Sequence, residues 1–588
     1  MSISLFLFYS NLFLLGCSTD KNQDTGSTVA EEEWTPTYYC PGSEDCADAE
    51  GTLRVGAAAV PITPICFEQW RDCGDDGLCP GDEGYTEADA HEANGEWDKS
   101  VEVFLDCGCD QLCPGDEGYI LPDQGEGDQV FQASWIAGFQ NSRPANGVHD
   151  DIWARAIVFE KGSTRIGFVV VDLVGWFYQE IEKTRTMISQ EGIDLDHLIV
   201  SATHTHEAPD TMGLWGRSAT ASGYSEEYAQ YVRTQTKESI RLAVENLQDV
   251  GSFAVGAVDV RDYSEKGTSN LLRDSRDPKV IDEQLRAAIF RNTSGQTIAT
   301  LSHFGNHPEA IADENTQITS DFPNLLREGL ESGVFYDSYQ RDGYGGVSIF
   351  INAAVGGLMT PLGINIVDGE GTEFRDYTFE RNDAFGKVMA EQAMDAIDAA
   401  TPATDDTLSF AAQVFELPVE NFGFQAMFVT NIIPREVYDY DSSEIIDEDN
   451  MPKVRTEVAH LRVGPISFVT VPGEITPELV IGGYDGSHVG DPNKTLIDEN
   501  NPNPPDLSQA PQGPYIRDII QNEHPWVVGL GNDELGYILP AYDFQLDDRL
   551  PWFDQAEGDH YEETRSLGPN TAEIVQGELQ KLMDWAAQ

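Results

Sequence analysis

The chain has 588 residues and carries 102 Asp plus Glu against 35 Lys plus Arg, a net charge of −67. A field of that sign repels phosphate backbones and argues against nucleic-acid partners, while it attracts divalent cations. Hydrophobic residues at 40% and aromatics at 10% supply enough apolar surface for a packed core, which excludes wholesale disorder.

The first element is the apolar stretch Ile3 to Leu15, shorter than the roughly 20 residues needed to span a bilayer, so it reads as the core of an export signal. It ends in Leu14-Leu15-Gly16-Cys17, which resembles a bacterial lipobox. The resemblance implies that residues 1–17 are a lipoprotein signal peptide. The chain would then be exported and held to a membrane through an N-terminal lipid anchor on Cys17, or secreted. Residues 18–50 are polar and acidic, as a flexible tether would be.

Next comes a cysteine-rich acidic segment at about 66–128. Apart from Cys17, the eight cysteines Cys40, Cys46, Cys66, Cys73, Cys79, Cys107, Cys109 and Cys113 all lie in the first fifth of the chain. An even number confined to one segment of an exported chain predicts disulfides, with the pairing unreadable. Within it, Leu78-Cys79-Pro80-Gly81-Asp82-Glu83-Gly84-Tyr85 recurs as Leu112-Cys113-Pro114-Gly115-Asp116-Glu117-Gly118-Tyr119. Each copy is followed by an acidic run, Glu87 to Asp98 and Asp123 to Asp128, whose oxygens suit a hard cation such as calcium, although the spacing is not that of an EF-hand.

From about residue 51 to 588 strands and helices alternate without a long linker, which predicts one large α/β domain with the cysteine-rich segment inserted near its start. Strands are expected at Ala154–Glu160, Ile166–Leu173, Leu198–Ala202, Phe253–Val260, Thr297–Ser302, Val347–Ile351, Phe410–Leu417 and Ile466–Val471. Several are apolar throughout, as suits strands covered on both faces. Amphipathic helices are expected at Glu226–Gln248, Asn324–Ser332, Asp383–Ala399 and Thr571–Ala586. The strand order cannot be read.

Two of these strands run into histidines. Leu198–Ala202 leads into Thr203-His204-Thr205-His206-Glu207, and Thr297–Ser302 leads into His303-Phe304-Gly305-Asn306-His307-Pro308-Glu309. Only 11 histidines occur in the chain, so four at two strand ends point to a shared site. Neutral imidazoles with a carboxylate suit zinc, and no cysteine lies nearby to compete.

With these residues in place, the chain resembles the neutral (non-lysosomal) ceramidase family, whose catalytic domain carries Thr-His-Thr-His after a buried strand. Similar blocks follow in the family's order: Val55 to Pro64, Ala154-Arg155-Ala156 and Val471-Pro472-Gly473-Glu474. The resemblance covers about residues 51–588. It implies zinc ligands at His204, His307, Glu474 and Tyr537, a substrate-facing or proton-handling role for His206, a pocket tyrosine at Tyr561 and a further match at Arg276.

The implied reaction is zinc-dependent hydrolysis of an amide bond in ceramide or a related N-acyl lipid. The sequence departs from the family at Val355-Gly356-Gly357-Leu358-Met359-Thr360-Pro361, where the family has a functional serine; Thr360 is the nearest hydroxyl. The chain also ends soon after Tyr561, with no counterpart of the family's C-terminal immunoglobulin-like module. A rival reading follows from the missing serine: a non-catalytic surface lipoprotein of the same fold that binds metal or a partner.

Overall fold

Alternate residues of the apolar runs feed two different cores, and this is why those runs form strands covered on both faces. The computed structural model describes residues 34–43, 46–558 and 560–587. The export signal, the lipobox and the first part of the tether lie outside the described residues.

In chain order the main strands are β1 (Tyr38–Cys40), β2 (Arg54–Pro61), β3 (Trp153–Lys161), β4 (Thr164–Val171), β5 (His197–Ala202), β6 (Gln248–Asp259), β7 (Gln284–Asn292), β8 (Thr297–Phe304), β9 (Val347–Asn352), β10 (Leu408–Pro418), β11 (Lys453–Val463), β12 (Ile466–Thr470), β13 (Glu474–Ile475), β14 (His524–Val528) and β15 (Tyr537–Ile538). The helices that cover them are α1 (Tyr178–Gln190), α2 (Glu226–Glu245), α3 (Phe322–Ser332), α4 (Phe379–Asp398), α5 (Phe422–Val429) and α6 (Thr571–Ala586). Residues 36–588 form one compact unit.

The larger sheet runs β9-β8-β7-β6-β2-β3-β4-β5, with Thr401–Pro402 as a ninth strand against β6. Its centre is antiparallel, and each edge is a parallel pair, β8 with β9 and β4 with β5. The smaller sheet runs β1-β10-β11-β12-β14. One face of β3 and β4, through Ile157, Phe159, Ile166 and Phe168, packs on Phe410, Leu461, Phe468 and Trp526 of the smaller sheet. The opposite face, through Ala156, Val158, Val169 and Val171, meets Ile181 and Ile188 of α1 and Val232 and Ile240 of α2. Helices α3 and α4 cover the other half, Leu326, Leu330, Val388 and Met389 packing on Ile289 and Phe350. Each such fully buried side chain contributes about 1.5–3 kcal/mol.

The expected mixture of helix and sheet is present, and the eight predicted strands and four predicted helices all have counterparts. The sequence reading missed α1, α5, β2, β7, β11 and β14, together with the short strands β1, β13 and β15. Helix α1 buries Glu180 and Thr184 beside Ile181 and Ile188, which breaks its apolar period. Strand β7 carries buried Arg286, and β11 mixes its apolar residues with Arg455, Thr456, Glu457, His460 and Arg462.

The cysteines pair as Cys40–Cys46, Cys66–Cys109, Cys73–Cys79 and Cys107–Cys113. Such a set belongs to oxidising compartments. No described helix is long and apolar enough to cross a membrane.

Two polar side chains lock this architecture. Asn352, at the end of β9, donates from Nδ2 to the carbonyls of Thr203 (2.8 Å) and Asn306 (2.9 Å). It thereby joins the ends of both edge pairs, which the strand order alone puts at opposite extremes. Glu457 of β11 is wholly buried and accepts from Arg185 of α1 (2.8 and 3.1 Å), His197 of β5 (3.0 Å) and Asn532 (2.8 Å). Burial works against its charge, but Arg185 and then His197 outweigh it and leave the carboxyl at about 2.

Two outcomes are expected. Asn352→Ala leaves two buried carbonyls without a donor and should cost about 1–3 kcal/mol in urea unfolding. Glu457→Gln strands the buried Arg185 and should cost about 3–5 kcal/mol at pH 7. Because the folded carboxyl lies below its unfolded value of about 4.3, its stabilisation is complete above that pH and fades as the pH falls toward 2. The variant should therefore lose less stability than the parent across that interval, and an equal loss in both would exclude this role for Glu457.

Candidate metal centre

The site forms where the edge strands end. After β5 the Thr203 amide donates to Val171 (2.9 Å) and the His204 amide to Leu173 (3.0 Å), so the chain leaves the sheet alongside β4. His204 then adopts φ +67, a left-handed conformation that a non-glycine residue holds only under constraint. Its ring Nδ1 donates to the Val174 carbonyl at 2.5 Å. His307, just past β8, is fixed in the same way, its Nδ1 donating to the Met359 carbonyl at 2.9 Å. With both Nδ1 atoms protonated by these bonds, both Nε2 atoms present lone pairs.

Those lone pairs meet a carboxylate. Glu474 Oε2 lies 3.3 Å from His204 Nε2 and 3.3 Å from His307 Nε2. Strand β13 carries Glu474 and pairs in parallel with β15, which places Tyr537 directly beside it. Burial works against charge on Glu474, but the facing imidazoles hold its carboxyl at about 2. Burial, and then the charge of Glu474, push the Tyr537 phenol well above its ordinary value.

His206 completes a triad of rings, with centroid separations of 5.0 Å to His204 and 5.4 Å to His307. One ring nitrogen from each of the three lies within 4.8 Å of the others. Only glycine fits at position 138, because a Cβ there would come 2.3 Å from the His206 ring. His206 Nδ1 stands 3.3 Å from Glu309 Oε2 without hydrogen-bond alignment. Burial, followed by the neighbouring His204 and His307, keeps its imidazole well below the ordinary value.

The donor set can be tested against a metal. His307 Nε2, Glu474 Oε2 and His206 Nδ1 are buried and have no hydrogen-bond partner. Ligands 2.0–2.2 Å from a tetrahedral ion sit roughly 3.3–3.6 Å apart, which is the spacing of both imidazoles from Glu474. Two histidines, a carboxylate and a phenol around such unpartnered atoms fit a zinc-like cation.

The remaining expected residues fall elsewhere around this centre. Tyr561 lines the same pocket, its ring 6.1 Å from that of Tyr537. Thr360 is buried with its hydroxyl donated to Glu309, so its link to the centre runs through Glu309 and His206. Arg276 lies outside the pocket wall, paired with Asp543 (2.9 Å), Glu562 (3.1 Å) and Glu563 (2.9 Å). It thus anchors the segment that bears Tyr561. His303, counted with the other histidines as a site residue, points away: its Nε2 bonds the Val527 carbonyl at 2.8 Å and its ring stacks on Trp526. It lies on β8 itself, where successive side chains take opposite faces.

Sequence reasoning assigned no role to Glu309, Asn352, Glu534 or the Met359 carbonyl. Glu309 and Asn352 share the signal that found His204, a polar residue just past an apolar strand. The loop lacking the family's serine contributes here through its main chain, which no side-chain pattern reveals.

The pocket that ends on this centre encloses about 930 Å³, part of it open to solvent. Its walls are mostly apolar, with Phe139, Phe177, Met212, Trp215, Phe424 and Phe428 beside Arg435, Glu534 and Arg565, and its floor carries His204, His206, Glu474, Tyr537 and Tyr561. An apolar cleft with a few convergent polar groups is the usual form of a small-molecule site.

Residues 134–425 match the model of neutral/alkaline non-lysosomal ceramidase, N-terminal. The fold is similar to that of neutral ceramidase from Pseudomonas aeruginosa, with a TM-score of 0.55 at 14% identity over 91% of this chain and 75% of that one. A solved ceramidase complexed with C2 is similar to the same extent, with a TM-score of 0.54, 14% identity and the same coverage of each chain. Over residues 134–425 this chain therefore carries the pattern of the N-terminal domain of the neutral/alkaline non-lysosomal ceramidase family.

Proposed function

We propose that the chain is an exported zinc hydrolase that cleaves the amide bond of ceramide or a related N-acyl lipid. Residues 51–588 act as the catalytic domain, 66–128 as an insertion, and residues 1–17 direct lipid anchoring at a membrane. The single observation that carries this reading is the set of buried lone-pair atoms on His204, His307 and Glu474 at the floor of an apolar pocket. The family match supports the hydrolase class.

His204, His307, Glu474 and Tyr537 hold the ion. When bound, zinc supplies Lewis acidity, lowering the pKa of water toward about 7 and polarising a carbonyl. The aromatic wall takes the acyl and alkyl chains and excludes bulk water, which strengthens the polar contacts at the floor. His206 takes the proton from the attacking water and returns it to the nitrogen of the breaking C–N bond, with Glu309 orienting its ring. The Tyr561 hydroxyl donates to the oxygen on which charge develops. The water oxygen ends on the carbonyl carbon, and the products are a fatty acid and a free amine.

Fatty-acid release from an N-acyl sphingoid base by the zinc-loaded chain tests the reading. His204→Ala should lose both zinc and turnover, and chelation should abolish turnover reversibly. His206→Ala should keep zinc while the rate falls about 10²–10⁴-fold. Full zinc occupancy without turnover on any N-acyl lipid would instead favour the binding-protein reading.

A further inference from the structure

The cysteine-rich segment is a tandem repeat folded about an internal pseudo-twofold. Cys73–Cys79 and Cys107–Cys113 are equivalent disulfides, and Trp70 pairs across a short antiparallel ladder with its own counterpart, Phe104. Glu68 and Glu102 are equivalent too, and both are buried, at 1% and 7% exposure. Each reaches into the other repeat's loop. Glu68 Oε2 accepts from the Gln132 amide (3.0 Å), and Glu102 Oε2 from the Asp98 amide (2.7 Å).

The symmetry fails at this glutamate and its neighbouring aspartate. In one half all four oxygens of the equivalent pair, Glu68 and Asp106, are used. Glu68 Oε1 accepts from the Gly108 amide (3.2 Å), and Asp106 takes the amides of Gly127 (2.7 Å), Asp128 (3.2 Å) and Gln129 (3.0 Å). In the other half Glu102 Oε1 and Asp72 Oδ1 are buried without any hydrogen-bond partner. Asp72 and Glu102 continue the antiparallel register in which Arg71 pairs with Val103, and burial first, then the charge of Asp72, raises the Glu102 carboxyl to about 7. Two opposed buried acceptors with no donor between them require a cation or a shared proton.

We propose that Asp72 and Glu102 hold one calcium ion between the repeats. Both ligating atoms are hard oxygens, and an irregular loop setting suits calcium, which accepts six to eight ligands in flexible geometry. The site differs from the acidic runs at Glu87 to Asp98 and Asp123 to Asp128 that composition alone singles out. Glu68 and Asp106, the equivalent pair, are fully bonded and leave no second site of this kind. Binding would clamp the two loops without involving the histidine centre.

Calorimetric titration of the full zinc-loaded chain with calcium chloride tests this. The unaltered chain should show a tight equivalent that both Glu102→Gln and Asp72→Asn lose or weaken at least about tenfold. Glu117→Gln, at an exposed acidic position of the second copy, should retain it, and so separate a site from diffuse attraction to an acidic surface. Calcium should raise the melting temperature of the parent and of Glu117→Gln, but not of Glu102→Gln. No binding at millimolar calcium, which would leave the pair sharing a proton, would overturn the proposal. So would binding that is unchanged by the Glu102 and Asp72 substitutions.

Discussion

Two imidazole nitrogens and a carboxylate oxygen, all bare of protons on their facing sides, are brought to van der Waals range inside the protein. Left to themselves, buried acceptors of this kind destabilise a fold, because each has surrendered water without gaining a donor. The cost is carried by the surrounding main chain. Carbonyls of Val174 and Met359 orient the two rings, and the two-stranded β13–β15 ladder presents Glu474 and Tyr537 together. His204 holds a left-handed backbone to keep its ring in place. Strain and unsatisfied polarity concentrated at one point are the signature of a site shaped for a ligand rather than for stability.

The architecture explains how such distant segments meet. A flat sheet in the observed strand order would separate β5 from β9 by its full width. Curling around the smaller sheet brings these edges together, and the loop after β14 docks against β5, where the Asn532 amide donates to Val200 (2.7 Å). That same loop leads into β15, so the contact that seals the fold also delivers Tyr537. Helix α5 then closes one side of the pocket with Phe424 and Phe428, a turn apart.

Charge is distributed by the same logic. Most of the acidic excess is solvated, where it governs solubility and the attraction of cations. The buried carboxylates are specialised: Glu457 and Asp533 are paired with arginine and tie elements together, while Glu474 and Glu102 face groups that cannot neutralise them by hydrogen bonding alone. Pairing or its absence, rather than composition, separates structural acids from candidate ligands.

Much of this was legible in one dimension. Apolar runs doubly covered in the fold stand out as strands, and the Thr203–Glu207 and His303–Glu309 segments stand out because histidine is scarce and falls just past such runs. Even cysteine number predicts disulfides, and the twin Cys-Pro-Gly-Asp-Glu-Gly-Tyr copies declare a repeat. Strand order, the curl of the sheet, the departure of His303 from the centre and the pairing of Arg276 with three carboxylates were decided only in three dimensions. The reason is physical: local patterns report how one segment meets solvent and its own neighbours in sequence. Which lone pairs face one another depends on contacts between segments hundreds of residues apart, and those are set by the packing of the whole core.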